Sequence, residues 1–131
     1  YKRTEYGDFI YSSNNLETGS IGLNRYGSAS ISPVYSIFQI GESCDYQFIS
    51  NYFTSKSFIN KMTRYRQGVV YGQWKIHESD FLKIEEKIPS IKAQQKIAGF
   101  LSLLDELINT KMEQITKTEH WKKGLLQQLF I

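Results

Sequence analysis

The sequence predicts an α+β fold, in which a small mixed α/β domain over residues 1–88 is followed by one long C-terminal helix over residues 91–130. Two observations support this prediction. In the first part, short segments rich in β-branched and aromatic residues alternate with polar, glycine-bearing turns, which is typical of strands. From residue 91 onward no proline interrupts the chain, and apolar residues recur every three or four positions, which is helical spacing.

The first forty residues predict a set of short strands. Residues 5–12 are predicted as one strand because their side chains can alternate between two faces. A polar turn over 13–20 separates it from a short strand at 21–23, and 24–28 form a second turn. Residues 29–40 predict one or two strands around Pro33, which we expect at an edge or a bend because proline cannot donate to a neighbouring strand.

The middle of the chain predicts short helices followed by further strands. Asp45 can cap a helix whose apolar spacing extends to residue 62, either as one helix or as two broken near residues 54–57. Residues 69–76 are typical of a strand or a loop, and 79–81 of a short turn. Residues 82–88 are predicted to form the final strand before Pro89.

The long helix carries two groups of apolar residues. Ser90 can cap it, and at about 1.5 Å per residue it would be about 58 Å long, so we expect part of it to project and bind a partner. Its stripe can pack on its own domain or pair with a second helix, although interruptions at Thr118 and Lys122 exclude a strict heptad. The predicted interface consists of Ile97, Leu101, Leu104, Ile108, Met112 and Ile115, with a C-terminal cluster of Trp121, Leu125, Leu129 and Phe130.

Composition and motifs favour a binding protein over an enzyme. Hydrophobic residues make up 40% of the chain, enough for a folded core, and the apolar runs are too short to span a bilayer. The single Cys44 cannot form an internal disulfide and fits a reducing compartment. His77 and His120 are isolated, and we find no phosphate-binding loop, nucleophile elbow or metal-ligand cluster. Because the chain begins with Tyr1 and not with methionine, and residues 7–11 predict a strand already under way, we expect it to be a fragment of a longer protein.

Between Lys56 and Lys75 every charged residue is basic, which indicates a surface for a polyanion. Arginine and glutamine can each make two hydrogen bonds to a purine in the major groove, and lysine suits phosphates. The alternative is a solvated basic face beside core aromatic residues. The predicted DNA-binding residues are Lys56, Lys61, Arg64, Tyr65, Arg66, Gln67, Tyr71, Gln73 and Lys75, with Arg25 and Tyr26 as a second candidate loop.

Two strings in the long helix carry a family resemblance. They are IPSIKAQQKIAGFLSLLDELI at 88–108 and KKGLLQQLF at 122–130. Together they resemble the specificity subunit of type I restriction-modification systems, in which an "IP" step precedes a helix of the pattern EQxKIAxxLSxLDxxI that closes with KKGLLQxLF. Ala93-Gln94 stands where Glu-Gln is usual. The chain resembles the C-terminal half of that subunit, with part of a target recognition domain and its long helix.

The resemblance implies a cytoplasmic, non-catalytic subunit that recognises one half of a split target in double-stranded DNA. It further implies that methylation subunits modify an adenine and restriction subunits cleave the DNA. S-adenosylmethionine, ATP and Mg²⁺ are therefore expected only in those partners, and the chain itself is expected to hold no cofactor. Because one half alone is present, we expect a homodimer through the long helix, and no association with a membrane.

Two other interpretations remain open. The chain can be a protein-interaction module with a helical docking arm, in which case changes at Arg64 and Arg66 leave its function intact. It can also be the recognition fragment of a fused methyltransferase-nuclease, in which case catalytic motifs lie upstream of Tyr1 in the complete gene.

Overall fold

The structure is a computed structural model that describes residues 1–70 and 73–130. The chain divides into two units, Tyr1–Gln95 and Lys96–Ile131. The boundary lies within the long helix, a few residues beyond the predicted one. That the first unit is a DNA recognition domain and the second a spacer and dimerisation helix stays a prediction.

The first unit combines short strands with short helices. The strands are β1 (Lys2–Thr4), β2 (Phe9–Tyr11), β3 (Ile21–Leu23), β4 (Ala29–Ile31), β5 (Ser36–Phe38), β6 (Gln67–Val70) and β7 (Gln73–Lys75). The helices are α1 (Tyr46–Phe53), α2 (Lys56–Thr63), α3 (Glu78–Phe81) and α4 (Ile91–Leu129), with a 3₁₀ turn at Leu16–Thr18. This combination confirms the predicted α+β class.

The strands form small antiparallel sheets. Strand β1 pairs with β4, β2 lies between β3 and β5, and β6 pairs with β7. The predicted bend at Pro33 lies between β4 and β5, where the Tyr35 amide donates to the Ser32 carbonyl at 3.2 Å. None of these ladders is longer than four residues, so the sheets depend on side-chain packing as well as on backbone hydrogen bonds.

Packing centres on the central strand β2. Phe9 and Tyr11 point to the same face, because side chains two positions apart share a face of a strand, and both are fully buried. The Phe9 ring lies 5.0 Å from that of Phe53 in α1, which stacks on Phe58 of α2 at 4.1 Å. Tyr11 donates a hydrogen bond to the Ile76 carbonyl at 3.2 Å, and burial raises the pKa of its hydroxyl to about 12.

The two short helices begin and end as the sequence predicts. The Asp45 carboxylate accepts from the Phe48 amide at 2.8 Å and caps α1. The Ser55 hydroxyl accepts from the Phe58 amide at 3.3 Å and caps α2. A new cap at Ser55 breaks what could have been one helix, within the predicted interval. Ser90 caps α4 in the same way, with its hydroxyl 3.4 Å from the Ala93 amide.

The strand predicted over residues 5–12 is wrong in its first half. The Asp8 carboxylate accepts from the Glu5 amide at 2.7 Å, and the Asp8 amide donates to the Glu5 carbonyl at 3.2 Å, which makes a tight turn. Gly7 within this turn has a φ of +89°, so the backbone leaves the extended conformation there. Strand β2 therefore begins only at Phe9.

The final strand predicted over residues 82–88 is also wrong. The described chain shows no strand between β7 and α4. The predicted turn at 79–81 lies in the single-turn helix α3. The alternating pattern instead belongs to the connector between α3 and α4, residues 82–90, which is held in place by its side chains. Ile84 packs against the core, and Glu86 accepts hydrogen bonds from α1 and α2.

Replacing Gly7 tests the turn that ends β1. Gly7→Ala should lower the free energy of unfolding by about 1–2 kcal/mol, because an L-residue is strained at this φ. An added Cβ would also lie 3.1 Å from Cε1 of Tyr46. Gly22→Ala in β3 is the matched control, since its Cβ would meet nothing within 4 Å. Equal denaturant midpoints for the two variants would contradict this account of the turn.

Candidate nucleic-acid interface

The predicted basic stretch lies on α2 and on the β6–β7 hairpin. Lys56 is exposed at the start of α2, and Arg64 and Tyr65 are exposed directly after its end. Exposed Lys75 ends β7, opposite Gln67 of β6. The hairpin therefore brings Lys75 next to the segment that follows α2. Gln73 lies in β7, and Tyr71 lies outside the described residues.

Arg66, also predicted to bind DNA, makes ion-pair and backbone contacts within the domain. Its Nη1 and Nη2 donate to the two carboxylate oxygens of Glu17 at 2.7 and 2.8 Å. Its Nε and Nη2 also donate to the Ser13 carbonyl at 3.2 and 3.0 Å. The Arg66 hydrogen bonds hold the pKa of the Glu17 carboxyl below its usual value. The guanidinium thus joins the end of α2 to the loop after β2, a pairing that the sequence prediction missed.

Lys61 is held in a similar way by a three-residue network. Its Nζ donates to Oε1 of Glu86 at 2.5 Å, and the Tyr52 hydroxyl donates to Oε2 at 2.6 Å. Two hydrogen bonds lower the pKa of the Glu86 carboxyl, because both donors stabilise its charged form. The bond from Lys61 has the larger effect and the bond from Tyr52 the smaller. The hydrogen bond to Glu86 in turn raises the pKa of Tyr52. The predicted cations therefore divide into exposed Lys56, Arg64 and Lys75 and paired Lys61 and Arg66.

The second candidate loop is the turn between β3 and β4, and its shape is fixed by Asn24. The buried Asn24 accepts through Oδ1 from the amides of Tyr26 at 2.9 Å and Gly27 at 3.2 Å. Its Nδ2 donates to the Gly27 carbonyl at 2.7 Å and the Thr4 hydroxyl at 3.2 Å. Tyr26 at the tip is 99% exposed, and Arg25 donates to the Ser50 hydroxyl at 3.1 Å. An exposed aromatic ring beside an arginine on a fixed turn suits contact with nucleic acid.

Two further tyrosines near this turn were not predicted as site residues. Tyr6 and Tyr46 are largely exposed and line a cleft of about 60 Å³ together with Arg25. Gly7 allows the Tyr46 ring to approach the β1–β2 turn. The signal in the sequence was the Tyr-Gly pair at residues 6–7, which the prediction of a continuous strand obscured.

The predicted helix interface is almost entirely exposed in the chain. Ile97, Leu104, Ile108, Met112 and Ile115 are exposed, and Leu101 is half-buried. In the C-terminal cluster Leu125 is half-buried, and Trp121, Leu129 and Phe130 are exposed, as is the neighbouring Leu126. The structure adds a second exposed row that the prediction missed, consisting of Phe100, Leu103 and Leu107. Its steps of three and four residues are also helical, so it widens the apolar surface.

Two other features are absent from the described residues. No group of three or more His, Cys, Asp and Glu side chains in residues 1–70 and 73–130 could hold a metal ion. In the same part of the chain, no helix has the length and apolar character needed to cross a membrane.

Comparison with known proteins gave one family. A family model described as "Type I restriction modification DNA specificity domain" matches residues 2–117. The match includes every strand, α1 to α3 and most of α4. A search of the curated proteins found no match.

The Glu86 network predicts a pH-dependent coupling with Lys61. Because the folded-state pKa of Glu86 is lowered, its stabilising effect is complete above the unfolded value of about 4.5 and is lost as pH falls through the folded pKa. A double-mutant cycle of Glu86→Gln and Lys61→Met should therefore show coupling in the free energy of unfolding at neutral pH and none once the carboxyl is protonated. A coupling energy that does not change with pH would show that the pair does not act through charge.

Proposed function

The chain belongs to the family of type I restriction-modification DNA specificity domains, and on this basis we propose that it selects one half of a split target sequence in double-stranded DNA. The match over residues 2–117 is the observation that carries the proposal. In this proposal the chain itself is not catalytic. Methylation and restriction subunits modify and cleave the DNA, and they supply S-adenosylmethionine, ATP and Mg²⁺. The proposed location is the cytoplasm, where a restriction system meets incoming DNA.

Two surfaces are proposed to contact the DNA. Exposed Lys56, Arg64 and Lys75 suit phosphates, which fix the position of a protein on the duplex without identifying bases. The Asn24-held turn presents Arg25 and Tyr26, whose side chains suit contacts with bases or sugars. The pairs made by Lys61 and Arg66 give these two residues a second role, in which they hold the surface in place.

The long helix is proposed to form the contacts with protein partners. Most large apolar side chains along α4 from Ile97 to Ile115 are exposed in the single chain, although burying such surface is favourable by about 25 cal/mol per Å². We propose that this stripe pairs with the same stripe of a second copy and forms a homodimer. The cluster at Trp121, Leu129 and Phe130 is proposed to dock the methylation subunit.

A salt series with neighbouring arginine variants tests DNA binding. Binding of the full chain to random-sequence duplex DNA, measured by fluorescence anisotropy, should weaken linearly in log affinity against log salt. Arg64→Ala should reduce this slope by about one, because an exposed cation that contacts a phosphate is lost. Arg66→Ala is the matched control at the next basic position, and it should chiefly lower the unfolding midpoint, because it breaks the bidentate pair with Glu17.

The same experiment separates the proposal from its rivals. Absence of binding by the native chain at low salt would leave two explanations, the interaction-module interpretation or a recognition domain too truncated to bind alone. Repeating the measurement with the product of the complete gene would separate them. An unchanged slope in Arg64→Ala would show that Arg64 does not contact a phosphate. It would not affect the proposal that the chain binds DNA.

The dimer proposal is tested by mass in solution. Sedimentation at micromolar concentration should give about twice the 15.3 kDa of one chain. Ile108→Glu should give single chains with unchanged helical content, because a carboxylate cannot be buried unpaired in an apolar interface. Asn109→Glu, at the neighbouring polar position, should remain dimeric. A native chain that sediments as a monomer would refute the proposed homodimer.

A further inference from the structure

A small cleft lies where the β1–β2 turn, the β3–β4 turn and the start of α1 meet. Its volume is about 60 Å³, and every residue that lines it belongs to the first unit. Pockets for whole small molecules commonly measure about 300–1,000 Å³. The cleft is therefore too small for an intact ligand, and its size suits a single chemical group that projects from a larger molecule.

Hydrogen bonds hold the three segments together, so the cleft is formed before anything binds to it. The Gly7 amide donates to the Asn24 carbonyl at 2.8 Å, and the Asn24 amide donates to the Asp8 carbonyl at 2.8 Å, which joins the two turns. Nη2 of Arg25 donates to the Ser50 hydroxyl at 3.1 Å and joins the β3–β4 turn to α1. A site that is already formed loses little conformational entropy on binding.

Much of the wall of the cleft is apolar. Tyr6, Leu23 and Tyr46 line it, and both tyrosines are largely exposed, so they are open to contact with another molecule. Gly7 has no side chain, which lets the Tyr46 ring lie close to the β1–β2 turn, because an added Cβ would be 3.1 Å from Cε1 of that ring. An apolar group that enters between these residues leaves water, which is favourable.

Hydrogen-bond donors lie beside the apolar wall. Asn24 offers none, because both of its side-chain amide hydrogens are already donated within the domain. Gln47 also lines the cleft, and its side-chain amide bonds to no other residue in the described part of the chain. Arg25 donates to Ser50, and no carboxylate among residues 1–70 and 73–130 pairs with it. The cleft thus combines an apolar recess with donors that are free to bind a ligand.

This combination matches the major-groove edge of one DNA base. Thymine presents an apolar group and an acceptor side by side, its 5-methyl group and O4. Guanine presents two acceptors, adenine an acceptor and a donor, and cytosine a donor, and none of these three carries a methyl group. The apolar recess suits the methyl group of thymine, and the free donors suit O4.

We propose that the cleft is a specificity subsite that receives the 5-methyl group of one thymine in the DNA target, while Gln47 or Arg25 donates to O4 of the same base. The inference rests on the proposed function, because it needs DNA to reach the first unit. It goes beyond that function by naming the base that one part of the surface selects. Tyr26, at the tip of the β3–β4 turn, does not line the cleft and is available for other contacts.

Replacement of thymine by uracil tests the subsite, because uracil lacks only the methyl group. A target is first selected from random duplex DNA by the native chain, and each of its thymines is then replaced in turn. At one position the affinity, measured by fluorescence anisotropy, should fall about fourfold, which is the effect expected for burial of one methyl group. 5-Bromouracil at that position should restore the affinity, because bromine is close to a methyl group in size.

A tyrosine variant connects that position to the cleft. Tyr6 is 70% exposed, so Tyr6→Ala should leave the fold intact while it removes one wall of the cleft. This variant should bind the thymine and uracil duplexes about equally. Tyr26→Ala is the matched control, because it removes an exposed tyrosine outside the cleft and should keep the fourfold ratio even where it weakens binding to both duplexes. A general loss of stability or affinity does not change this ratio.

The outcomes separate the subsite from the proposed function. A selected target without thymine, or equal affinity for thymine and uracil at every position, would overturn the subsite while DNA recognition stands. A fourfold ratio that Tyr6→Ala preserves would also overturn it, since the methyl group would then be bound elsewhere. If neither this chain nor the product of the complete gene selects a DNA target, the proposed function fails and the subsite fails with it.

Discussion

The first unit depends on the burial of Phe9 and Tyr11 on one face of strand β2. A strand of three residues makes too few backbone hydrogen bonds to hold a sheet and three helices together. The aromatic rings of this face supply the missing contacts. Phe9 contacts Phe53 of α1 and Phe81 of α3, while Tyr11 stacks on Phe38 of β5. Edge-to-face and offset contacts of this kind add to the burial of apolar area, so one short strand can organise elements that are distant in sequence.

Around this core, single polar side chains connect separate segments by hydrogen bonds. Arg66 links the end of α2 to the loop after β2, Asn24 closes the β3–β4 turn, and Gln94 ties the first turn of α4 to the start of α1. Such side chains replace the regular ladders that a larger sheet would provide. The consequence for function is that charge alone does not identify a DNA contact. A basic residue near the surface can stabilise the fold or bind DNA, and only its hydrogen-bond and ion-pair partners distinguish these two roles.

Local signals in the sequence predicted most of the elements. Helix caps at Asp45 and Ser90 and the apolar period of α4 involve neighbours within a few residues, so they can be predicted without knowledge of the fold. The strand predicted over 82–88 was wrong because alternation does not reveal whether a partner strand exists. The contacts of Arg66 with Glu17 and of Gln94 with Asp45 join residues about fifty positions apart. No local pattern encodes them, so the division between exposed and paired cations could not be predicted.

The proposed division of labour follows from the chemistry of the two units. The first unit has a packed core, fixed turns and exposed cations, which suit a rigid surface that reads another molecule. The second unit is one helix with apolar side chains exposed along much of its length, a surface that partners can cover. Within the first unit, the buried amide of Gln94 holds the first turn of α4 to the loop before α1, because its three hydrogen bonds define one geometry and an apolar contact of the same size would permit many.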